Sequence, residues 1–428
     1  MEISRRASVA ANGLGAMAVP LAKPEAVAKH GAGHRHHQVR TGAQLCAEDR
    51  WSFLKGRRVG VITNPTGVLD DFSHIVDHMH DHGVNVVALF GPEHGFRGSS
   101  PAGESEQTAK DARTGIMVYD AYGADDKAFA KLFSRTRVDT VLFDIQDVGV
   151  RFYTYIWTMY QAMRGAAQIG GIRFIVLDRP NPIGRTARGP MLDMKYASGV
   201  GLRPILMQHG MTVGELAAFF ADKFLPHENE AATLRNLNIV EMKEWSGGLW
   251  SETGLPWVPP SPNMPTPDTA LIYPGTGLFE ATNMSEGRGT THPFELIGAP
   301  WTDHHWADRL NERGLGGVRF REAYFCPTTS KNVGAINGGV QVHLTEPERL
   351  NAPEVAAHML CAARDLYPKF ASRKVTWDKY PWQWLDLITG TTDFRTHLVG
   401  NSSAERITSG WQRDECQWLR QRQPYLRY

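Results

Sequence analysis

Apolar residues recur with two different periods along this chain from about Leu45 onward. "RVGVITNPTGV" (Arg58–Val68) is an apolar run that breaks into Asn64-Pro65-Thr66-Gly67, which predicts a strand entering a loop. "FSHIVDHMHDHG" spaces Ile75, Val76 and Met79 like one face of a helix, with Gly83 as a stop. The alternation then repeats. "VNVVALFGPEHG" reads as strand and loop, "DDKAFAKLFSRTR" as helix, and "VDTVLFDIQDVGVRFYTY" as strand and loop. "IWTMYQAMRGAAQIG" is helical, and "IRFIVLDRPNPIG" is strand and loop again. Strands covered on both faces read as continuous apolar runs, as these do. The order predicts an α/β fold with a Rossmann-like, doubly wound, mostly parallel sheet.

Further along, "HGMTVGELAAFFADKF" places Thr212 and Glu215 at capping-box spacing, which gives Glu215 a structural task. The proline-rich "LPWVPPSPNMPTPDTA" predicts a long stiff loop with Asn263 at its centre. A strand is expected after it, in the stretch that starts "YPGTG". "GVRFREAYFCPTTSKNVGAINGGVQVHL" reads as two or three antiparallel strands. Helices around "EVAAHMLCAARDLYP" and "SAERITSGWQRDECQWLRQRQ" follow. The expected organisation is a leader and His-rich linker over residues 1–38, a Rossmann-like domain over 39–270, and a smaller α+β domain over 271–428 that completes a cleft.

Composition narrows the function. Lys+Arg 46 against Asp+Glu 45 leaves a net charge of +1, so neither nucleic acid nor an anionic membrane is expected as a partner. No run of eighteen apolar residues predicts a membrane span. The four cysteines stand far apart without CxxC spacing and read as buried thiols, or as one disulfide after export. No GxGxxG or GxxxxGK[ST] opens a helix, so a nucleotide cofactor is not expected. The N-terminus carries Arg5-Arg6, an Ala/Gly-rich segment and "AVA" at Ala26–Ala28, the pattern of a twin-arginine export leader. "KHGAGHRHHQVRTG" after it reads as a solvated tether. The oligomeric state is not legible.

In open parallel sheets, ligands bind outside the carboxyl ends of the strands. Polar clusters fall at four successive strand ends: Asn64; Glu93-His94; Asp144, Gln146 and Asp147 with Arg151; and Asp178-Arg179 with Asn181. One shared pocket is expected. Its chemistry is read from the carboxylates near loop ends: Glu93, Glu104, Asp144, Asp147, Asp178, Glu280 and Glu286. Paired carboxylates suit hydrolysis of a glycosidic bond, one donating a proton to the leaving oxygen. Spacing alone leaves Glu93 equally a loop cap or such an acid. Tyr153 and its aromatic neighbours can pack on sugar rings, and Arg151 and Arg288 can hold a carboxylate. His209, Asn263 and Asn283 complete the polar candidates for substrate binding. There is no HExxH, so no metal is assigned to His94, His209 or His292, and no GxSxG marks a serine nucleophile.

Eight blocks together resemble the bacterial exo-β-N-acetylmuramidases, once a domain of unknown function. They are "GVITNPTGV", "LFGPEHGFRG", "AGE" (Ala102–Glu104), "LFDIQDVGVRFYTYIWTM", "LDRPNPIG", "HGMTVGELA", "PSPNMPT" and "FEATNMSEGRGTTHPFELIGAPW", with a similar end from "WDKYPWQWLDLITGTTDFR" to "RQPYLRY". Arg185 departs from the family, which more often has Gly there. The resemblance implies a Rossmann-like domain, a smaller domain and a cleft between them. It implies release of terminal N-acetylmuramic acid from the non-reducing end of peptidoglycan fragments, with the catalytic glutamate of "GPEHG" falling on Glu93. His94, Glu104, Asp144, Asp147, Glu286 and the substrate's own acetamido group stay open as its helper. Two other readings use the same cleft: a non-catalytic binding protein for wall sugars, and a wall amidase or esterase.

Overall fold

In a computed structural model, the described residues are 38–101, 103–228, 234–374 and 381–428. The expected leader and nearly all of the His-rich linker lie outside them. The first element is α1 (Gly42–Glu48), whose N-cap Thr41 accepts from the amide of Gln44. The sheet is then built by β1 (Val59–Thr63), β2 (Val86–Gly91), β3 (Ala109–Lys110), β4 (Met117–Asp120), β5 (Thr140–Asp144) and β6 (Arg173–Leu177). The short pair β7 (Arg188–Met191) and β8 (Leu206–Gln208) stands apart, and β9 (Leu237–Val240) closes the edge. The order across the seven strands is β3-β4-β2-β1-β5-β6-β9, and only β3 runs antiparallel to its neighbour.

Alternation along each strand splits the core in two. Val61, Leu89, Leu142 and Ile175 face α1 and α2 (Ile75–Asp81). Ile62, Phe90, Phe143 and Val176 face α3 (Asp126–Thr136), α4 (Tyr155–Ile169) and α5 (Val213–Lys223). A period of two puts neighbouring residues on opposite faces, so runs apolar at every position must be covered twice. The capping box at the start of α5 forms as expected, with Thr212 and Glu215 bonding each other's amides.

After α6 (Leu225–Glu228) and β9, helix α7 (Pro267–Thr276) begins inside the expected proline-rich loop and takes up "YPGT", so the strand of the stretch that follows comes only near its end. Pro267 sits in the first turn, where a missing N–H costs nothing and a fixed φ suits the helix, while Thr266 caps the amide of Thr269. Prolines that exclude a helix interior can thus open one. The second half adds an antiparallel sheet, β10 (Leu296–Ala299), β11 (Val318–Phe325) and β12 (Asn337–Leu344), in the order β10-β12-β11. Helix α8 (His304–Glu312) packs on it and α9 (Ala352–Leu366) packs on α7 and α8, followed by α10 (Trp384–Thr389), α11 (Asp393–Val399), α12 (Ala404–Thr408) and α13 (Trp411–Arg422). The last helix returns to the first half: Trp418 Nε1 donates to the carbonyl of His209 across 2.8 Å. Val148, Phe152, Ile183 and Met207 share one buried cluster with Met284, Ile297 and Leu360, so the core runs through both halves. The described cysteines are all free thiols, Cys46 and Cys361 buried and Cys326 and Cys416 exposed.

Candidate active site

The bend after β2 positions the carboxylate that opens the site. His94 and Gly95 both take positive φ, 70° and 80°, which turns the chain back sharply. A Cβ at Gly95 would meet the Glu106 side chain at 3.0 Å, so glycine is what lets the bend close. Glu106 accepts the amide of Phe96, and burial raises its pKa. The bend leaves Glu93 half-buried on the wall of a cavity of about 420 Å³. Glu93 Oε1 accepts the amide of Gly103 at 2.9 Å, and Oε2 accepts Thr154 Oγ1 at 3.1 Å. Thr154 is the N-cap position of α4, so the carboxylate also faces the positive end of a helix.

His94 lies beside it and is buried. Its Nδ1 sits 3.1 Å from the carbonyl of Ser100 and 3.2 Å from that of Pro101. Both partners are acceptors, so Nδ1 carries the proton. The backbone amide of His94 donates to the carbonyl of Glu104 at 3.0 Å. His94 therefore staples the segment that supplies Gly103 to Glu93. The Glu104 side chain is exposed and does not line the cavity; only its carbonyl takes part.

Aromatic rings make the floor. Tyr153 packs edge-on against Tyr155 and Tyr273, with centroids 5.4 and 5.7 Å apart. Tyr155 donates to the carbonyl of Pro260 at 2.7 Å, whereas the buried Tyr153 hydroxyl has no protein partner. Glu280 and Arg288 come from the second half, and Arg288 Nε donates to Glu280 Oε1 at 3.2 Å. The Arg288 guanidinium also covers the Phe294 ring at 5.0 Å. Burial works to lower the Arg288 pKa, but the charges of Glu280 and Glu286 more than reverse it. A permanent cation thus faces the cavity.

Many expected site residues lie elsewhere. Arg151 is wholly buried and donates to the carbonyls of Pro190, Ile205 and Ile388 at 2.9–3.0 Å, so it is a clasp and does not face a substrate. Burial pushes its pKa down to about 9. Asp144 is buried in a bidentate pair with Arg179, at 2.5 and 2.9 Å. Asn64 turns its Oδ1 back onto Thr66, and Gln146 donates to the carbonyls of Asp147 and Pro180. Asn181 holds the carbonyl of Met211 and the amide of Ile183. Asp147 accepts the amide of Gly149, and its Oδ2 lies 3.8 Å from His209 Nε2 beneath the floor. Asn283 bonds Lys369 and Ala371. Asn263 is half-buried, and its neighbour Ser261 lines the cavity instead. Glu286 is buried and paired with Lys331 at 2.7 Å and Arg288 at 3.4 Å, so it supports the wall from behind. The strand-end polar groups thus build a hydrogen-bonded platform, and of the polar candidates expected at the site Glu93, His94, Tyr153, Glu280 and Arg288 line the cavity.

The sequence reading missed Tyr122, Thr154, Tyr273 and Trp384, which also line it. A hydroxyl at the start of an apolar helix was a readable signal for Thr154. Nothing marked Tyr122, which follows the four-residue strand β4.

The comparisons fit this geometry. A family model described as exo-beta-N-acetylmuramidase NamZ, N-terminal, matches residues 59–268, and its C-terminal counterpart matches 271–428. The chain belongs to the NamZ family of exo-β-N-acetylmuramidases. It is 42% identical over 395 residues to the peptidoglycan β-N-acetylmuramidase NamZ of Bacillus subtilis strain 168, covering 91% of this chain and 92% of that protein. Two crystal structures of DUF1343 family proteins from Bacteroides fragilis share the fold. One has a TM-score of 0.81 at 34% identity, the other 0.70 at 31%; each match covers 91% of this chain and 99% of the other. The NamZ N-terminal match contains Glu93 and the aromatic floor up to Ser261, and the C-terminal match contains Glu280 and Arg288. The cavity is lined by both.

Proposed function

We propose that this member of the NamZ family hydrolyses the glycosidic bond of terminal N-acetylmuramic acid at the non-reducing end of peptidoglycan fragments, with Glu93 as general acid. The observation that carries the reading is the placement of Glu93: it is the carboxylate on a polar-and-aromatic cavity, on the bend after a parallel strand, held by Gly103 and Thr154. Glu93 donates its proton to the glycosidic oxygen as that bond breaks, and water supplies the hydroxyl that ends on the anomeric carbon. Arg288 supplies the cation for the lactyl carboxylate of the sugar. Glu280, the other carboxylate on the cavity among the described residues, is bonded to Arg288 and so is held back from acting as a free nucleophile. That favours water or the acetamido group of the sugar at the anomeric carbon.

The substrate class also favours action outside the cytoplasm, and the Arg5-Arg6 leader is proposed to take the protein there. Mass spectrometry of exported protein with and without an Arg5→Lys, Arg6→Lys change tests this; unchanged export removes the twin-arginine assignment.

A chromogenic aryl N-acetylmuraminide tests the chemistry. Glu93→Gln should lower kcat by about a hundredfold to ten-thousandfold while binding of free N-acetylmuramic acid persists. Turnover equal to wild type in that variant would exclude Glu93 as the acid. Absent turnover in the wild type, with sugar still bound, would favour a binding protein.

A further inference from the structure

We propose that the ring of Tyr122, with Thr158 and Gln161 of α4, forms the subsite for the sugar on the leaving side of the cleaved bond. This rests on the muramidase reading above and adds a specificity-determining residue to it.

The cavity has two unlike ends. At one stand Glu280 and Arg288, the latter over the Phe294 ring that packs on Tyr273 with centroids 4.7 Å apart. At the other, the turn Tyr122-Gly123-Ala124 after β4 joins one stripe of α4 in lining the cavity. Thr154, Thr158 and Gln161 are spaced i, i+4 and i+7, so they share a helix face. All three line the cavity. From Thr154 to Gln161 that polar stripe runs about 10 Å along the helix axis.

Exposure separates the aromatic residues by task. Phe152, Tyr155, Trp157 and Tyr273 are at most 5% exposed, so they are packed floor. Tyr122 is 41% exposed and has a free face to offer the apolar side of a pyranose.

Glu93 fixes which sugar meets which end. A general acid must lie within hydrogen-bond reach of the oxygen that leaves, so the sugar carrying that oxygen sits beside it. The sheet places Tyr122 beside the bend that carries Glu93: Asp120 pairs with Gly91, and the amide of Ala121 donates to the Gly91 carbonyl at 2.9 Å. From Glu93 toward the cation, Tyr155 packs on Tyr153, Tyr153 on Tyr273 and Tyr273 on Phe294, with the Arg288 guanidinium over the Phe294 ring. Tyr273 therefore stands between Glu93 and the cation, whereas Tyr122 approaches Glu93 from the end of β4, the neighbour of β2. The muramic sugar, with its carboxylate, fits between Glu93 and Arg288. The N-acetylglucosamine that leaves fits the shelf of Tyr122 and α4.

The test is the disaccharide of N-acetylmuramic acid β-linked to N-acetylglucosamine. Tyr122→Ala should raise its KM about tenfold, with kcat within about twofold of wild type. The inhibition constant of free N-acetylmuramic acid should not move, and Tyr122→Phe should retain the wild-type KM. A KM change below about twofold, or an equal weakening of inhibition by free N-acetylmuramic acid, overturns the assignment. If the wild type leaves the disaccharide intact, the muramidase reading fails by itself, and an arm independent of turnover still decides the shelf. N-acetylglucosamine dimer and trimer are titrated against intrinsic tryptophan fluorescence, and Tyr122→Ala should bind them about tenfold more weakly. Equal binding by the two proteins overturns the proposal.

Discussion

Thr154 Oγ1 donates to Glu93 Oε2 across 3.1 Å. The bond links the turn after β2 to the start of the helix after β5, and β1 lies between those two strands in the sheet. Glu93 is thus held from the far side of the crevice as well as by its own loop, through Gly103. A carboxylate on a glycine-rich bend has many rotamers, and two donors from different elements select one.

Thr154→Val removes one of these donors while keeping the shape of the side chain. The expected result is a fall in kcat of about tenfold, the worth of one hydrogen bond to a charged group, with KM little changed. Thr154→Ser should restore the wild-type rate. Steady-state kinetics on an aryl N-acetylmuraminide reads both. Equal loss in the Ser and Val variants would assign Thr154 to helix packing alone.

Glu286 is a carboxylate of the site sequence that the fold turns away from the substrate. It pairs at 2.7 Å with Lys331, which also donates to the carbonyls of Phe279 and Thr282 at 2.7 and 2.9 Å. Burial lowers the Lys331 pKa, and Glu286 opposes that. Glu286→Gln leaves a buried ammonium without its counter-charge, at a cost of about 3–5 kcal/mol in unfolding free energy. Urea titration checks this, and the folded variant should turn over within about twofold of wild type. A large loss of kcat without loss of stability would return Glu286 to the catalytic machinery.

His74 sets a dependence on pH. Its Nε2 sits 3.0 Å from the carbonyl of Asn64, and its Nδ1 accepts the amide of Val76. One nitrogen must donate and the other accept, so the ring is neutral, and burial lowers its pKa from 6.5 to about 4. Between those values the unfolded chain binds the proton and the native protein does not. This contribution to stability is full above pH 6.5 and is lost as pH falls toward 4, amounting to roughly 3 kcal/mol. Asp178 acts in the opposite direction, since burial raises its pKa to about 6 and stability from that group falls as pH rises from 3.8 through 6. The two are separated by comparing wild type with His74→Asn, which can still cap the helix. The wild type should be the more stable at pH 7.5 and lose that advantage by pH 4.5. A constant difference across this range would refute the assignment.

Much of this was legible in the residues themselves. Doubly apolar runs such as "VGVIT" and "TVLFD" can only be strands covered on both faces, and the capping spacing of Thr212 and Glu215 is local chemistry. The place of Glu93 on a bend at a strand end was legible from its glycines, but spacing left it equally a cap or an acid, and only the resemblance of "GPEHG" singled it out. Helix α7 was misread because Pro267 has opposite meanings in the first turn and in the interior of a helix, and only the position of the cap tells them apart.

The remaining distinction was out of reach of a linear pattern. Asp144, Asp147, Arg151 and Glu286 have the same residue types as a catalytic site and stand at the same kind of loop as Glu93. Three of them are satisfied by partners distant in sequence, Asp144 by Arg179, Arg151 by the carbonyl of Ile388 and Glu286 by Lys331, while Asp147 is held locally by the amide of Gly149. The sequence determined which polar groups gather at the strand ends. Tertiary structure decided which of them hold the platform together and which face the cavity, because a buried charge must find its counterpart, and that counterpart is supplied only when the chain closes on itself.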